Sequence, residues 1–301
     1  YDKLDPEKSP PVQRFLVDHV TAVNNGLYGI YAFDSQHGVI QDSYASGSSD
    51  SGFYVGQCRN CNILVRRNVA ERNAVGFENA NASDSVYVIA NRFSGNRVGL
   101  TLLSDYQEAF VPQHGNTVAG NLISDNTSGD SPAQADGGFG IGIGISGGQD
   151  NTLTHNRIGG NPRAGVLITN ATDIPATGNH VTDNELTDNG VDVADASTAS
   201  TPSSGNCVNP TSGLSVLPQA LATASCPGGT ARGAGADPAD LPTVAAPAGV
   251  PFTGVSAPKA QPAGDGSDTV PDPLPDTIDA PDLSTVTVPA ADYLAEMTGT
   301  A

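Results

Sequence analysis

Residues 91–102 read Asn91-Arg92-Phe93-Ser94-Gly95-Asn96-Arg97-Val98-Gly99-Leu100-Thr101-Leu102, and residues 68–79 read Asn68-Val69-Ala70-Glu71-Arg72-Asn73-Ala74-Val75-Gly76-Phe77-Glu78-Asn79. In each stretch two asparagines stand five apart, and a glycine followed by an apolar residue comes soon after. The asparagine pair returns at Asn121 and Asn126, Asn156 and Asn161, and Asn179 and Asn184. Units that recur about every two dozen residues are the signature of a solenoid.

Aligned on the glycine, the units are Gly29-Ile30-Tyr31-Ala32, Gly52-Phe53-Tyr54-Val55, Gly76-Phe77-Glu78-Asn79, Gly99-Leu100-Thr101-Leu102, Gly142-Ile143-Gly144-Ile145, Gly165-Val166-Leu167-Ile168 and Gly190-Val191-Asp192-Val193. The first residue after each glycine is apolar and the third usually is, the period of a strand with one buried face. Three residues before the anchor asparagine lies another apolar position: Val65, Val88, Val118, Leu153 and Ala176. Leu16 and Ile40 take it in two earlier coils, where His19 and Ser43 replace the asparagine. At least two sheets per coil therefore close round one interior. The expected fold is all-β, a right-handed parallel β-helix of about seven coils, roughly 34 Å long at 4.8 Å per coil. The asparagines read as corner ladders, each amide bonding to the coils on either side.

Competing solenoids fail on spacing. A leucine-rich repeat needs several leucines per unit. The run Gly137-Gly138-Phe139-Gly140-Ile141-Gly142 resembles one calcium-binding nonapeptide, but Gly142 stands where that repeat needs aspartate. Calcium is therefore without support, and no cofactor is assignable.

Of 22 prolines, 15 follow residue 195. Three segments are expected: a repeat domain over 1–194, a disulfide-bracketed cap over 195–230, and a Pro/Ala/Asp-rich tail or linker over 231–301 with too little periodic apolar content for a core of its own. The stretch Val270 to Pro275 reads as extended and stiff; Leu214 to Leu221 and Tyr293 to Met297 are the parts expected to dock or turn helical.

The formal charge of −19 disfavours nucleic acid as a partner. An acidic polysaccharide would need a basic patch, for which Arg59, Arg66, Arg67, Arg72, Arg92 and Arg97 lie within three adjacent coils; the plainer alternative is that they offset acids on solvated faces. Cys207 and Cys226 bracket a loop whose closure would contribute about 3 kcal/mol. Cys58 and Cys61 form a lone C-x-x-C, read as a local disulfide or packed thiols, since zinc would need two more ligands. An even cysteine count suggests an oxidising location, extracellular or in the cell envelope. No membrane-spanning or signal segment is visible from Tyr1 onward, and a preceding segment with a signal and a cap is expected.

The repeat is broken twice. About seven extra residues fall between Leu103 and Asn116, and about a dozen between Asn126 and Gly142, one leaving and one entering the same sheet. Insertions in solenoids gather on the binding face. They carry Asp105, Tyr106, Glu108, His114, Asp130 and Asp136, beside the outward strand positions Tyr31, Tyr54, Glu78 and Thr101. Tyrosine rings next to a carboxylate suit a sugar, the ring packing on its face and the carboxylate taking hydroxyls or a proton. The candidate binding residues are Tyr31, Tyr54, Glu78, Arg97, Asp105, Tyr106 and His114, with Tyr54 and Glu78 expected to face solvent; a bare cross-strand tyrosine stack is the alternative.

The runs Gly26-Leu27-Tyr28-Gly29-Ile30-Tyr31, Ser51-Gly52-Phe53-Tyr54-Val55-Gly56-Gln57 and Asn73-Ala74-Val75-Gly76-Phe77-Glu78-Asn79 resemble a family of bacterial secreted right-handed parallel β-helix repeat proteins, in the wider group of NosD-type proteins, pectate lyases and alginate epimerases. The likeness covers roughly 15–194 and implies an envelope or secreted protein with a polysaccharide or cell-surface glycan as partner. The Asn-Thr-Asp, Asp-Asp, Gly-His-Gly and Arg-Ile-Lys series of pectin hydrolases is missing, as is the Asp-Pro-His-Asp of the epimerases, and fold does not fix function. Two classes remain: a non-catalytic protein for surface display, adhesion or carbohydrate binding, and a lyase- or epimerase-like enzyme in which Arg neutralises a uronate carboxylate and Tyr or His is the base.

Overall fold

The computed structural model describes Leu4 and residues 7–134, 138–210, 212–264, 266 and 271–299. Its body is a right-handed parallel β-helix of about eight turns. Among the described residues three parallel sheets run its length. The first has eight strands, from Leu16–Asp18 to Cys207–Asn209; the second has seven, from Thr21–Val23 to Glu185–Thr187; the third has eight, from Ile30–Phe33 to Val216–Leu217. Glycine-led units mark seven strands of the third sheet. The eighth, Val216–Leu217, has no such glycine and is held by pairing with Val193–Asp195.

Each turn bends where one residue adopts left-handed backbone and an asparagine follows. Arg67, Ala90, Gly120, His155 and Asp183 all have φ between 53° and 65° and precede Asn68, Asn91, Asn121, Asn156 and Asn184. An L-residue pays about 1–2 kcal/mol there. The following asparagine offsets that cost. Asn121 shows how: its carbonyl accepts from the backbone N–H and side-chain amide of Asn91 at 2.8 and 2.9 Å. Its own amide donates to the Val88 carbonyl at 2.8 Å and to Asn156 at 2.9 Å. The corner's buried polar groups are thereby paired coil to coil.

The asparagines form three ladders, one per corner. The first is Asn68, Asn91, Asn121, Asn156 and Asn184. The second is Asn73, Asn96, Asn126, Asn161 and Asn189, and the third joins Asn116 to Asn151, Asn179 and Asn206. The sequence phase of the last coil is corrected here. Asn179 aligns with Asn151, and Asn184 takes the place beside Asn156, so Val181 rather than Ala176 continues the row of Val65, Val88, Val118 and Leu153. At the other end Val17, not Leu16, pairs with Ile40, and Val20, not His19, faces Ser43. Val193, not Val191, pairs with Val166. The slip by two at Val193 leaves the same face inward, which is why period alone does not detect it; the slips of one at Val17 and Val20 and of five at Val181 are set by pairing with the neighbouring coil.

Inside, Ile30, Phe53, Phe77, Leu100, Ile143, Val166 and Val193 pair in one continuous row. From Phe53 to Val193 all are fully buried. Helix Gln219–Thr223 closes the C-terminal end, putting Leu221 into the core, and Cys207 is disulfide-bonded to Cys226 beside it. Cys58 and Cys61 are also paired.

In the structure the tail lies along the rod. Leu241, Val255, Ile278, Leu294 and Met297 are buried at intervals along it. Asn24 donates to the Val255 carbonyl, Arg97 to that of Pro247, Arg157 to that of Pro289 and Arg92 to that of Tyr293. Its end is fixed by the buried Glu71, which accepts from Tyr44, Arg72 and the Gly299 N–H at 2.7, 2.9 and 2.7 Å. Scattered apolar residues suffice because the finished rod supplies their partners; Tyr293 to Met297 docks on Tyr44 and Val69. Val270 lies outside the described residues.

Candidate functional site

The outward positions of the third sheet run Tyr31, Tyr54, Glu78, Thr101, Gly144 and Leu167 in consecutive coils. Five coil spacings make a track of about 24 Å. Tyr31 begins it as a platform, 47% exposed, with Tyr28 stacked on its ring at 4.6 Å and Phe33 parallel to it at 5.7 Å. Tyr54 lies 4.6 Å from Tyr31 and 4.9 Å from Tyr28.

Both insertions fold back over the earlier coils instead of standing at the sheet's sides. In the first, Asp105 exchanges two hydrogen bonds with Asn81, and the Ala109 N–H donates to Gln57 at 3.2 Å, which lays Glu108 beside Tyr54. In the second, Gln134 donates to Asp50 at 2.8 Å and Gly138 rests on Val98. Tyr54 and Glu78 are consequently buried, at 0% and 6% exposure. Their expected exposure to solvent is corrected: the chain's own insertions cover them. Asp136 lies outside the described residues.

Beyond this roof a cleft of about 310 Å³ remains. Its floor is Val75, Val98, Ile141, Gly144 and Leu167, and polar groups reach it from Glu78, Thr101, Gln134, Ser146 and Thr169. Glu78 Oε2 and Thr101 Oγ1 are buried and have no hydrogen-bond partner among the described residues. Each such atom costs about 1–3 kcal/mol, so a pair of them on one wall calls for an explanation. Glu78 is pushed well above the usual carboxylate range, first by burial and then by the Asp50 and Glu108 carboxylates. Glu108 is pushed up to about 7, by burial and then by Asp105. Burial, with Asp50 for Tyr28 and Glu108 for Tyr54, raises both phenols, which therefore stay protonated.

The remaining sequence candidates are not among the residues lining this cleft. Arg97 is buried, donates to the Pro247 carbonyl at 2.7 Å and packs over the Phe139 ring. Tyr106 is exposed beside Asp173. His114 sits at the corner leading to the first sheet, 3.4 Å from Asp84. The six arginines read as a possible patch are dispersed: Arg59 stacks on Phe110, Arg66 binds Gln41, Arg67 binds Asp42, and Arg72 and Arg92 hold Glu71 and the tail. Sequence reading missed Tyr28, Asp50, Gln134 and Gly144. Only Tyr28 carried a local signal, standing three residues before Tyr31 in the same unit. Among the described residues no group of three or more His, Cys, Asp or Glu is placed to hold a metal ion, and no helix is long and apolar enough to cross a membrane.

The family model for the right-handed β-helix region matches residues 8–113 and 110–218, and the chain belongs to that family. Among solved structures it is similar to the periplasmic alginate epimerase AlgG, with 17% identity and a TM-score of 0.35 over 60% of this chain and 45% of that one. It is also similar to the DFA-IIIase from Arthrobacter chlorophenolicus A6, with 14% identity and a TM-score of 0.36 over 69% of this chain and 50% of that one. The chain thus spans about half the length of either or less. No curated protein matches it.

Proposed function

We propose that this chain is an extracytoplasmic carbohydrate-binding β-helix, holding a glycan along the outward face of its third sheet. The observation that carries this is a pair of buried oxygens, Glu78 Oε2 and Thr101 Oγ1, without a hydrogen-bond partner among the described residues on the wall of an otherwise apolar cleft. A mostly apolar cavity with a few placed polar groups is what a small-molecule or saccharide site requires. The Tyr31 and Tyr28 rings lie in line with it on the same face, and exposed tyrosine rings pack well on sugar rings. Two disulfides, Cys58 with Cys61 and Cys207 with Cys226, fit an oxidising compartment.

Binding is favoured over a lyase or epimerase reaction because the parts of the latter do not meet. Arg97 donates one guanidinium nitrogen to Pro247 and is not in the cleft lining, His114 is at another corner, and the tyrosines that line the track hold their protons. A second reading has one specific observation behind it: Glu78 and Glu108, two neighbouring carboxyls both shifted upward, are the kind of group found in acid–base catalysis. Incubation with a panel of polysaccharides separates the two. Retention on immobilised glycan without new reducing ends supports binding; depolymerisation abolished by Glu78→Gln or Glu108→Gln would replace it with glycoside chemistry.

A further inference from the structure

Resting on that reading, we infer that the cleft takes an uncharged saccharide unit, seated over Gly144 with its hydroxyls on Glu78 and Thr101, and that it excludes uronates.

Among the described residues the lining contains no Lys, Arg or His. The Arg97 guanidinium donates to the Pro247 carbonyl and packs over the Phe139 ring. The one acidic side chain in the lining is Glu78, with the Asp50 and Glu108 carboxyls acting on it from behind. A uronate carboxylate entering here would be desolvated without a cation from the lining to pair with. A neutral sugar does not meet that penalty. Its hydroxyls donate to the two orphaned oxygens, and its apolar ring face covers Val98, Ile141 and Leu167.

Gly144 makes the room. It interrupts the outward row between Thr101 and Leu167. A Cβ built on it would meet only Thr101 Cγ2 at 3.8 Å and Ile141 Cγ2 and the Leu100 carbonyl at 4.0 Å, ordinary contact distances. Backbone strain is not what requires glycine at this position. A longer side chain would project into the cleft and fill it.

Isothermal titration of the full chain with neutral glucan, xylan, mannan, galactan and fructan hexamers, and with galacturonate and mannuronate hexamers, tests the inference. At least one neutral hexamer should bind, at least tenfold more tightly than either uronate. Gly144→Leu should weaken that hexamer at least tenfold with thermal unfolding nearly unchanged. Glu78→Gln, which keeps a neutral acceptor, should stay within about threefold of the parent, whereas Glu78→Ala should lose at least tenfold. Tighter binding of a uronate that Gly144→Leu abolishes would overturn neutral selection and leave the cleft standing as a glycan site. Binding unaffected by Gly144→Leu would overturn the cleft, and failure of every hexamer to bind would overturn the carbohydrate reading with it.

Discussion

Asn62 and Ile278, 216 residues apart, are joined by two reciprocal hydrogen bonds. The Asn62 amide donates to the Ile278 carbonyl at 2.8 Å, and the Ile278 N–H donates to the Asn62 side-chain oxygen at 2.6 Å. An asparagine side chain here serves as a one-residue strand edge for the tail. Asn62 has φ 49°, so its replacement has to respect the left-handed backbone. Asn62→Gly removes the clasp without that strain. The expected outcome is faster limited proteolysis in the tail around Ile278 while the β-sheet circular dichroism of the rod is retained.

The inward column sets the largest single packing cost. Phe77 is fully buried, pairs with Phe53 and Leu100 in register, and stacks on Phe93 at 5.7 Å. Neighbouring coils cannot collapse into a phenyl-sized hole without breaking their own ladders. Phe77→Ala should lower stability by about 3–5 kcal/mol, measured from the denaturant midpoint.

The corner ladders should be most sensitive in their middle. Asn121 is bonded to coils on both sides, whereas Asn184 ends its ladder, partly exposed, with its amide on the Leu153 and Thr182 carbonyls. Asn121→Ala leaves buried donors and acceptors unpaired on both sides and should cost at least about 2 kcal/mol. Asn184→Ala should cost distinctly less in the same chemical denaturation experiment.

Glu108 links the roof to pH. Its carboxyl moves from an ordinary 4.5 to about 7, because folding buries it. The folded chain therefore holds this proton more tightly than the unfolded one. The associated stability is complete below about pH 4.5 and is lost as pH rises through about 7. Thermal midpoints should fall across that interval, and Glu108→Gln, which cannot ionise, should flatten the decline.

The repeat itself was legible in one dimension. Asparagine at the bends, glycine at strand entry and alternate apolar residues after it dictate a parallel β-helix, because each of these is a local requirement that every coil meets separately. Phase in the last coil was not legible, since Asn179, Asn184 and Asn189 follow one another at intervals of five and either neighbouring two imitate a corner pair. Backbone pairing with the coil below chose between them. The same holds for the site. The sequence placed Tyr31, Tyr54, Glu78 and Thr101 in one outward row, and that row exists. Whether a row is open or covered depends on where long insertions fold, and no local pattern encodes that. Gln57, Asn81 and Asp50, each remote in sequence from its partner, pull the insertions back over Tyr54 and Glu78, leaving the cleft one stretch further along the rod. Tertiary contacts alone decided that Arg97 would hold Pro247 of the tail, and that a glycine, Gly144, would lie between Thr101 and Leu167 at the floor of the cleft.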